Sequence, residues 1–348
     1  MEESFESFGK NRQNSYEAPM PRVVGDASDD LKQKTKEHFQ DLFYKKHLAD
    51  LPKEKLETLR SLEYEKSPIE KELIEAADSE LNDIMHKAGV KPFGVSAKNI
   101  HLVPPELFRE IDKTGGDAIT FDQHRAIFID AEKHRNNSLD FGKVIFHELF
   151  HLKGHLAVEV EEDGDGGDAT VYRSGLTAYS SQKKDNEHKT HKHFSGLEEG
   201  LAGELERRYF KKLIEHPALK KQKEWLESKA AKEVKEKISK SRNIPVEEIN
   251  NVKENGYFET FSYPFHRQVL NLITSEIYNK NKDKFKSEEE VLNIFIKAHF
   301  DGKILPMSRL IADTFNKDVL RMISMMDGKK DSGVQTLEFL EKKIARRD

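Results

Sequence analysis

The chain has 348 residues, no cysteine, and a net charge of −5 from 58 basic and 63 acidic side chains. That balance offers no basic face for nucleic acid. No apolar run approaches the ~18 residues of a membrane-spanning helix, and the missing cysteines exclude disulfides and thiolate metal sites. Hydrophobic residues make up 36% and charged ones 35%, so much of the chain must be solvated helix surface around a core that 348 residues can still make large.

Residues 1–28 are polar and aperiodic and read as a disordered tail. They contain no apolar signal segment, so the expected compartment is cytoplasmic. Residues 29–95 form a helical region: Leu31, Phe39, Leu42 and Phe43, then Leu73, Ile74, Ala77, Leu81, Ile84 and Met85, recur at helical spacing, with Pro52 and Gly89 as stops. From residue 96 the pattern changes. Residues 100–103 read as a strand, and 117–121 with 126–130 as a hairpin. A strongly apolar helix follows over 141–156, capped by Ser138 or Asp140.

Within 96–216, residues 159–193 stand out as an insert. The acidic, glycine-rich run 159–168 lacks the residue order of a calcium loop and reads as a solvated turn. Residues 169–181 suggest a strand or hairpin, and 182–190 a polar loop with His188, His191 and His193 exposed nearby. A helix over 195–216 stops at Pro217. Residues 217–256 form a charged helical arm. Residues 257–348 form a helical unit, with helices over 263–279, 287–300, 306–326 and 334–346. A small sheet ahead of a buried helix, then a mostly helical C-terminal unit, makes the fold class α+β.

The chemistry centres on His147-Glu148-Leu149-Phe150-His151. On a helix, residues four apart share a face, so the two imidazoles can converge on one ion. Glu148 between them is placed to take a proton from water activated by Zn²⁺. Within a core helix, two histidines and a glutamate call for a partner or a metal. A catalytic zinc needs a third protein ligand. His155 lies roughly 12 Å from His147 along an unbroken helix, so it is a poor third ligand. Glu199, Ala202, Gly203 and Glu206 form one helical stripe in which two small residues allow close approach. That makes Glu199 the expected ligand and Glu206 an outer partner for a ligating histidine. Glu198, on a neighbouring face, is the alternative.

His147-Glu148-x-x-His151 followed by Leu197-Glu198-Glu199-Gly200-Leu201-Ala202 resembles the gluzincin metallopeptidases. The resemblance covers about residues 140–210. It implies a zincin-like fold, with a small mixed sheet, an active-site helix and a ligand helix. It also implies a zinc peptidase with His147, His151 and Glu199 as ligands, Glu148 as general base and a peptide or protein as substrate. Glu198 stands where the family usually has asparagine, and the gap between His151 and Glu199 is longer than in its best-known members. Gluzincins add a downstream tyrosine or histidine as oxyanion donor. Tyr263, then His266 and Arg267, are the candidates here, with Arg173 and Tyr179 weaker ones. The rival reading is a non-catalytic, zincin-like metal-binding sensor or interaction protein. A third is a hydrolase acting on a non-peptide bond. Neither substrate identity nor oligomeric state is readable.

Overall fold

A computed structural model of the chain describes residues 17–346 except 46, 49–50, 114, 164–165 and 185–186, with backbone alone at 163, 166–167, 181–184 and 187–189. In order, the elements are β1 (Arg22–Val24), α1 (Asp29–Tyr44), α2 (Lys53–Leu62), α3 (Pro68–Lys87), β2 (Ile100–Val103), α4 (Pro105–Ile111), β3 (Ala118–Phe121), β4 (Ala126–Asp130), α5 (Ala131–His134) and α6 (Ser138–Lys153). There follow β5 (Leu156–Asp163), β6 (Gly166–Ser174), β7 (Thr177–Lys184), β8 (Glu187–His193), α7 (Ser195–Leu213), α8 (Lys220–Glu227), α9 (Lys229–Arg242), β9 (Ile249–Val252) and β10 (Phe258–Thr260). The last five are α10 (Pro264–Lys280), α11 (Glu288–Asp301), α12 (Ile304–Thr314), α13 (Lys317–Met325) and α14 (Lys330–Ala345). The fold is α+β.

Helix α6 is the axis of the molecule. Leu139, Phe141, Ile145, Phe146, Leu149, Phe150 and Leu152 are all buried. A helix apolar on every side must be enclosed on every side. Its neighbours in one continuous core are Leu73, Ala77 and Leu81 of α3, Ile100 and Leu102 of β2, Ile127 and Ile129 of β4, Leu197, Leu201 and Leu205 of α7, and Val269, Leu270 and Ile273 of α10. The C-terminal helices therefore share the core of the sheet-and-helix region. The N-cap of α6 is Asn137, whose side chain accepts from the Asp140 amide, rather than Ser138 or Asp140. Asp140 is drawn off to His134 and Lys143.

Beside α6 lies a three-stranded sheet of order β2-β4-β3, with β2 parallel and β3 antiparallel to β4. Strand β3 is an edge. A second sheet, β1-β5-β6-β7-β8, differs from expectation in two ways. The insert is a ribbon of antiparallel strands, where a solvated turn and a polar loop were expected over 159–168 and 182–190. Strand β5 does alternate, with Leu156, Val158 and Val160 buried, but the sequence of its outer strands is mostly polar and carries no such pattern. The supposed tail contributes β1, which pairs in parallel with β5, Val23 opposite Val158; residues 1–16 lie outside the described residues. The charged arm folds back on itself. Ala231 and Ile238 of α9 pack with Ile249 and Val252, and the Trp225 indole donates to the Val252 carbonyl. Strand β10 pairs with β9, so the region after residue 257 is not wholly helical. Among the described residues no helix is long and apolar enough to cross a membrane.

Candidate metal centre

Helices α6 and α7 bring His147, His151 and Glu199 together. The two histidine Nε2 atoms stand 3.2 Å apart. Glu199 Oε2 is 3.2 Å from Nε2 of His147 and 3.5 Å from that of His151. Among the described residues this is the one group of three or more histidines and carboxylates spaced to hold a metal ion.

The outer nitrogens settle what the inner ones present. His147 Nδ1 is 3.1 Å from Glu206 Oε2, and His151 Nδ1 is 3.1 Å from Glu198 Oε1. A carboxylate accepts, so each Nδ1 carries a proton, and in the neutral ring that leaves Nε2 free to bind an ion. In that state two lone pairs and a carboxylate oxygen face one another; with no ion between them the surrounding carboxylates favour a further proton on the rings. Protonating both rings instead would set two N–H groups head to head. Bonds of ~2.0–2.1 Å meeting tetrahedrally put ligand atoms roughly 3.3–3.4 Å apart, the spacing seen here, so these residues fit a zinc ion. Burial opposes charging of His147, but the Glu199 and Glu206 carboxylates outweigh it and hold the ring up to about 9. His151 is likewise raised against burial, chiefly by Glu199 and Glu198. Glu199 is lowered by the two imidazoles despite its burial. The pocket is built for positive charge.

Glu198, the alternative ligand, sits one step behind. One oxygen meets His151; the other accepts from the Thr177 amide and hydroxyl, both at 2.7 Å. His299 of α11 closes this outer layer. Its Nε2–H donates to the Phe150 carbonyl at 2.9 Å, its ring stacks on Phe150, and its Nδ1 lies 3.4 Å from Glu198. Thr177 and His299 carried no signal in the sequence, because they reach the site from the ribbon and from a helix 150 residues on.

Glu148 is buried, and the Thr120 hydroxyl of β3 lies 2.8 Å from its Oε2 and 3.0 Å from its backbone carbonyl. Thr120 lines a cleft of about 650 Å³ between β3 and the ribbon. Tyr263 reaches the centre from the other side. Its ring stacks on His147, with centroids 5.7 Å apart. Burial and the Glu199 and Glu148 carboxylates push its phenol well above the ordinary range, so it stays a donor. Its backbone is left-handed, φ 51°, a strained state for an aromatic residue.

His266 does not join them. It is buried, its Nε2 bonds the Asp327 carbonyl at 2.8 Å, and its ring packs on Gly333. It ties α10 to α14, and its ring meets that of Tyr263 edge-on with centroids 5.5 Å apart. Arg267 is engaged by Glu248 and the Ser262 carbonyl. Arg173 and His155 lie against Gly302, beyond the end of α6. Tyr179 lines the cleft. His193 bonds Ser180 and His191 is exposed; the His188 side chain lies outside the described residues. The small residues of α7 also have another purpose than expected. A Cβ on Gly200 would stand 2.7 Å from the His266 carbonyl oxygen, and one on Gly203 2.9 Å from that of Ser262. It is the 262–267 segment, carrying Tyr263, that approaches there.

Comparison with known proteins returns no relative. No family matches the chain, and neither a curated protein nor a solved structure matches it.

Proposed function

We propose that the protein is a zinc-dependent metallohydrolase of gluzincin type that cleaves peptide bonds, with His147, His151 and Glu199 as ligands. The observation that carries this reading is the convergence of three potential ligand atoms, 3.2–3.5 Å apart, with the outer nitrogen of each histidine held by a further carboxylate. When bound, a zinc ion supplies Lewis acidity that brings water near ionisation at neutral pH.

The chain's own groups do the rest. Thr120 holds Oε2 of Glu148, which leaves Oε1 to take the proton of the attacking water and return it to the leaving amine, a role worth ~10²–10⁴-fold. The protonated Tyr263 phenol donates to the negative charge that develops on the substrate carbonyl. Glu198 and Glu206 fix both ligand imidazoles in the tautomer that exposes Nε2. Strand β3 is an edge of its sheet and lines the cleft through Thr120 and Phe121, where an extended peptide can add its backbone hydrogen bonds. A base beside the ion favours a catalytic over a purely structural site, which has no use for one.

The test pairs zinc content with hydrolysis in wild type and Glu148→Gln. Both proteins are expected to hold one zinc by elemental analysis, and only the wild type should cleave a peptide library. Zinc in both with cleavage by neither would make the protein a binding module. No zinc in fully metallated protein would remove the centre.

A further inference from the structure

The cleft lined by Thr120, whose hydroxyl holds Glu148, has an uneven charge. Its walls carry Asp122 from the turn after β3, Glu159 and Glu161 from β5, and Asp168 from β6, and among the described side chains no lysine or arginine lines it. Lys192 of β8 lies over the Tyr179 ring at one side. Glu161 pairs directly across the strands with Asp168, and Glu159 with Thr170, so the three carboxylates share one face of the ribbon. Like charges directly opposite one another destabilise an antiparallel pair. Among the described residues none of the three makes an ion pair, although exposed acids elsewhere do, as Asp30 does with Lys34.

The spacing speaks against a metal ion as the missing partner. Of all the described carboxylates and histidines, those of the cleft do not gather closely enough to share one cation. Glu159 and Glu161 are two residues apart on a strand, roughly 7 Å. That is also the repeat of alternate side chains along an extended peptide, the backbone state that the β3 edge accepts. Dispersed negative charge at strand spacing is complementary to positive charge at strand spacing.

We propose that this cleft selects extended peptide segments bearing lysine or arginine at alternate positions, with Glu159, Glu161 and Asp168 as the determinants of specificity. The inference rests on the hydrolase reading for its substrate class, but the cleft can be probed without turnover. A low-dielectric cleft lined by one sign of charge raises the local concentration and on-rate of the opposite charge by about 10–10³-fold.

The experiment measures binding of labelled octapeptides to full-length, zinc-loaded Glu148→Gln protein. The peptides share one sequence except for lysine, glutamine or glutamate at two alternate positions. The lysine peptide is expected to bind at least ~10-fold tighter than the glutamine peptide, with the advantage shrinking as salt rises. In the further Glu159→Gln/Glu161→Gln variant the lysine-to-glutamine ratio should fall towards one. The same exchange relieves repulsion, so this protein should melt no lower than its parent, which separates lost recognition from lost folding. Equal binding of the three peptides, a ratio unmoved by the exchange, or displacement of the lysine peptide by micromolar calcium would each overturn the proposal. The two readings fail separately. A wild type that cleaves peptides without charge preference removes the specificity and leaves the hydrolase. A protein that binds the lysine peptide as described but cleaves nothing removes the hydrolase and leaves the cleft.

Discussion

Two buried polar clusters hang from the same helix and are put together differently. In the second turn of α6, Lys143 is nearly enclosed, yet its ammonium meets Asp140 at 3.1 Å, Glu259 at 3.1 Å and Asn250 at 3.1 Å. His134 completes the group through Asp140. Every charge there has an opposite within the chain. One turn further along, His147, His151 and Glu199 converge with three potential ligand atoms 3.2–3.5 Å apart. The first cluster is a closed structural joint that fastens the β9–β10 hairpin to α6. In the proposed function the second is completed by a cation from outside. Burial of charge alone does not separate a joint from a site; what does is whether the group's atoms surround a common point that an ion can occupy.

The largest expected effect tests that distinction directly. Glu199→Ala should abolish zinc binding measured by elemental analysis and competition with a chelator, beyond the ~10–100-fold typical of an outer-layer loss, while the fold persists by circular dichroism. Retained zinc in that variant, with loss in Glu198→Ala, would exchange the roles of the two glutamates. Next comes Lys143→Met. Stranding Asp140 and Glu259 should destabilise the protein by roughly 3–5 kcal/mol in urea unfolding, with zinc stoichiometry intact. If zinc is lost as well, the two clusters are one cooperative unit and the contrast between them fails.

Glu198→Gln is expected to act more mildly. It removes the charge that orients His151 and places an amide against the Thr177 donors, for a ~10–100-fold weaker zinc affinity. An unchanged affinity would mean that His151 is held by its own packing. The smallest effect concerns acid. Burial alone would raise the Asp140 carboxyl; the His134 hydrogen bond and the Lys143 ammonium overcome it and hold the group at about 2. A carboxyl depressed in the folded state contributes stability that is full above its ordinary range near 4 and lost as pH falls through 2, on the order of 1–2 kcal/mol. Stability of the wild type should therefore decline over that window more steeply than that of Asp140→Asn. Parallel curves would show that the joint carries no such linkage.

The parts of the site that were readable beforehand are those that a single helix encodes. His147 and His151 share a face by spacing alone, and Glu199 shares one with Glu206 for the same reason. Glu198 is harder to place, because spacing alone does not say what covers its face of α7. Its first turn is in fact enclosed on two sides, by α6 and by the Thr177 end of the ribbon. His266 is ambiguous in the sequence, because a histidine at a helix start looks the same whether it faces a cleft or a carbonyl such as that of Asp327. The ribbon was legible only in part: residues 169–181 suggest strand, whereas the polar runs 159–168 and 182–190 carry too few apolar residues to show an alternation. Strand β1 was hidden more simply: three residues in a polar leader are too few to form a pattern. In each case the missing information belongs to tertiary neighbours and not to local propensity.

The left-handed Tyr263 and the glycines opposite it bear on how this centre can change. The aromatic ring is brought to its position by a stretch of backbone that rests on Gly200 and Gly203, where even one methyl group would force a retreat. The gap between ligand helix and phenol is thus set by atoms that are not there. Reactivity could be detuned from a position that touches neither ion nor substrate, and any redesign of α7 would have to treat those two bare positions as part of the chemistry.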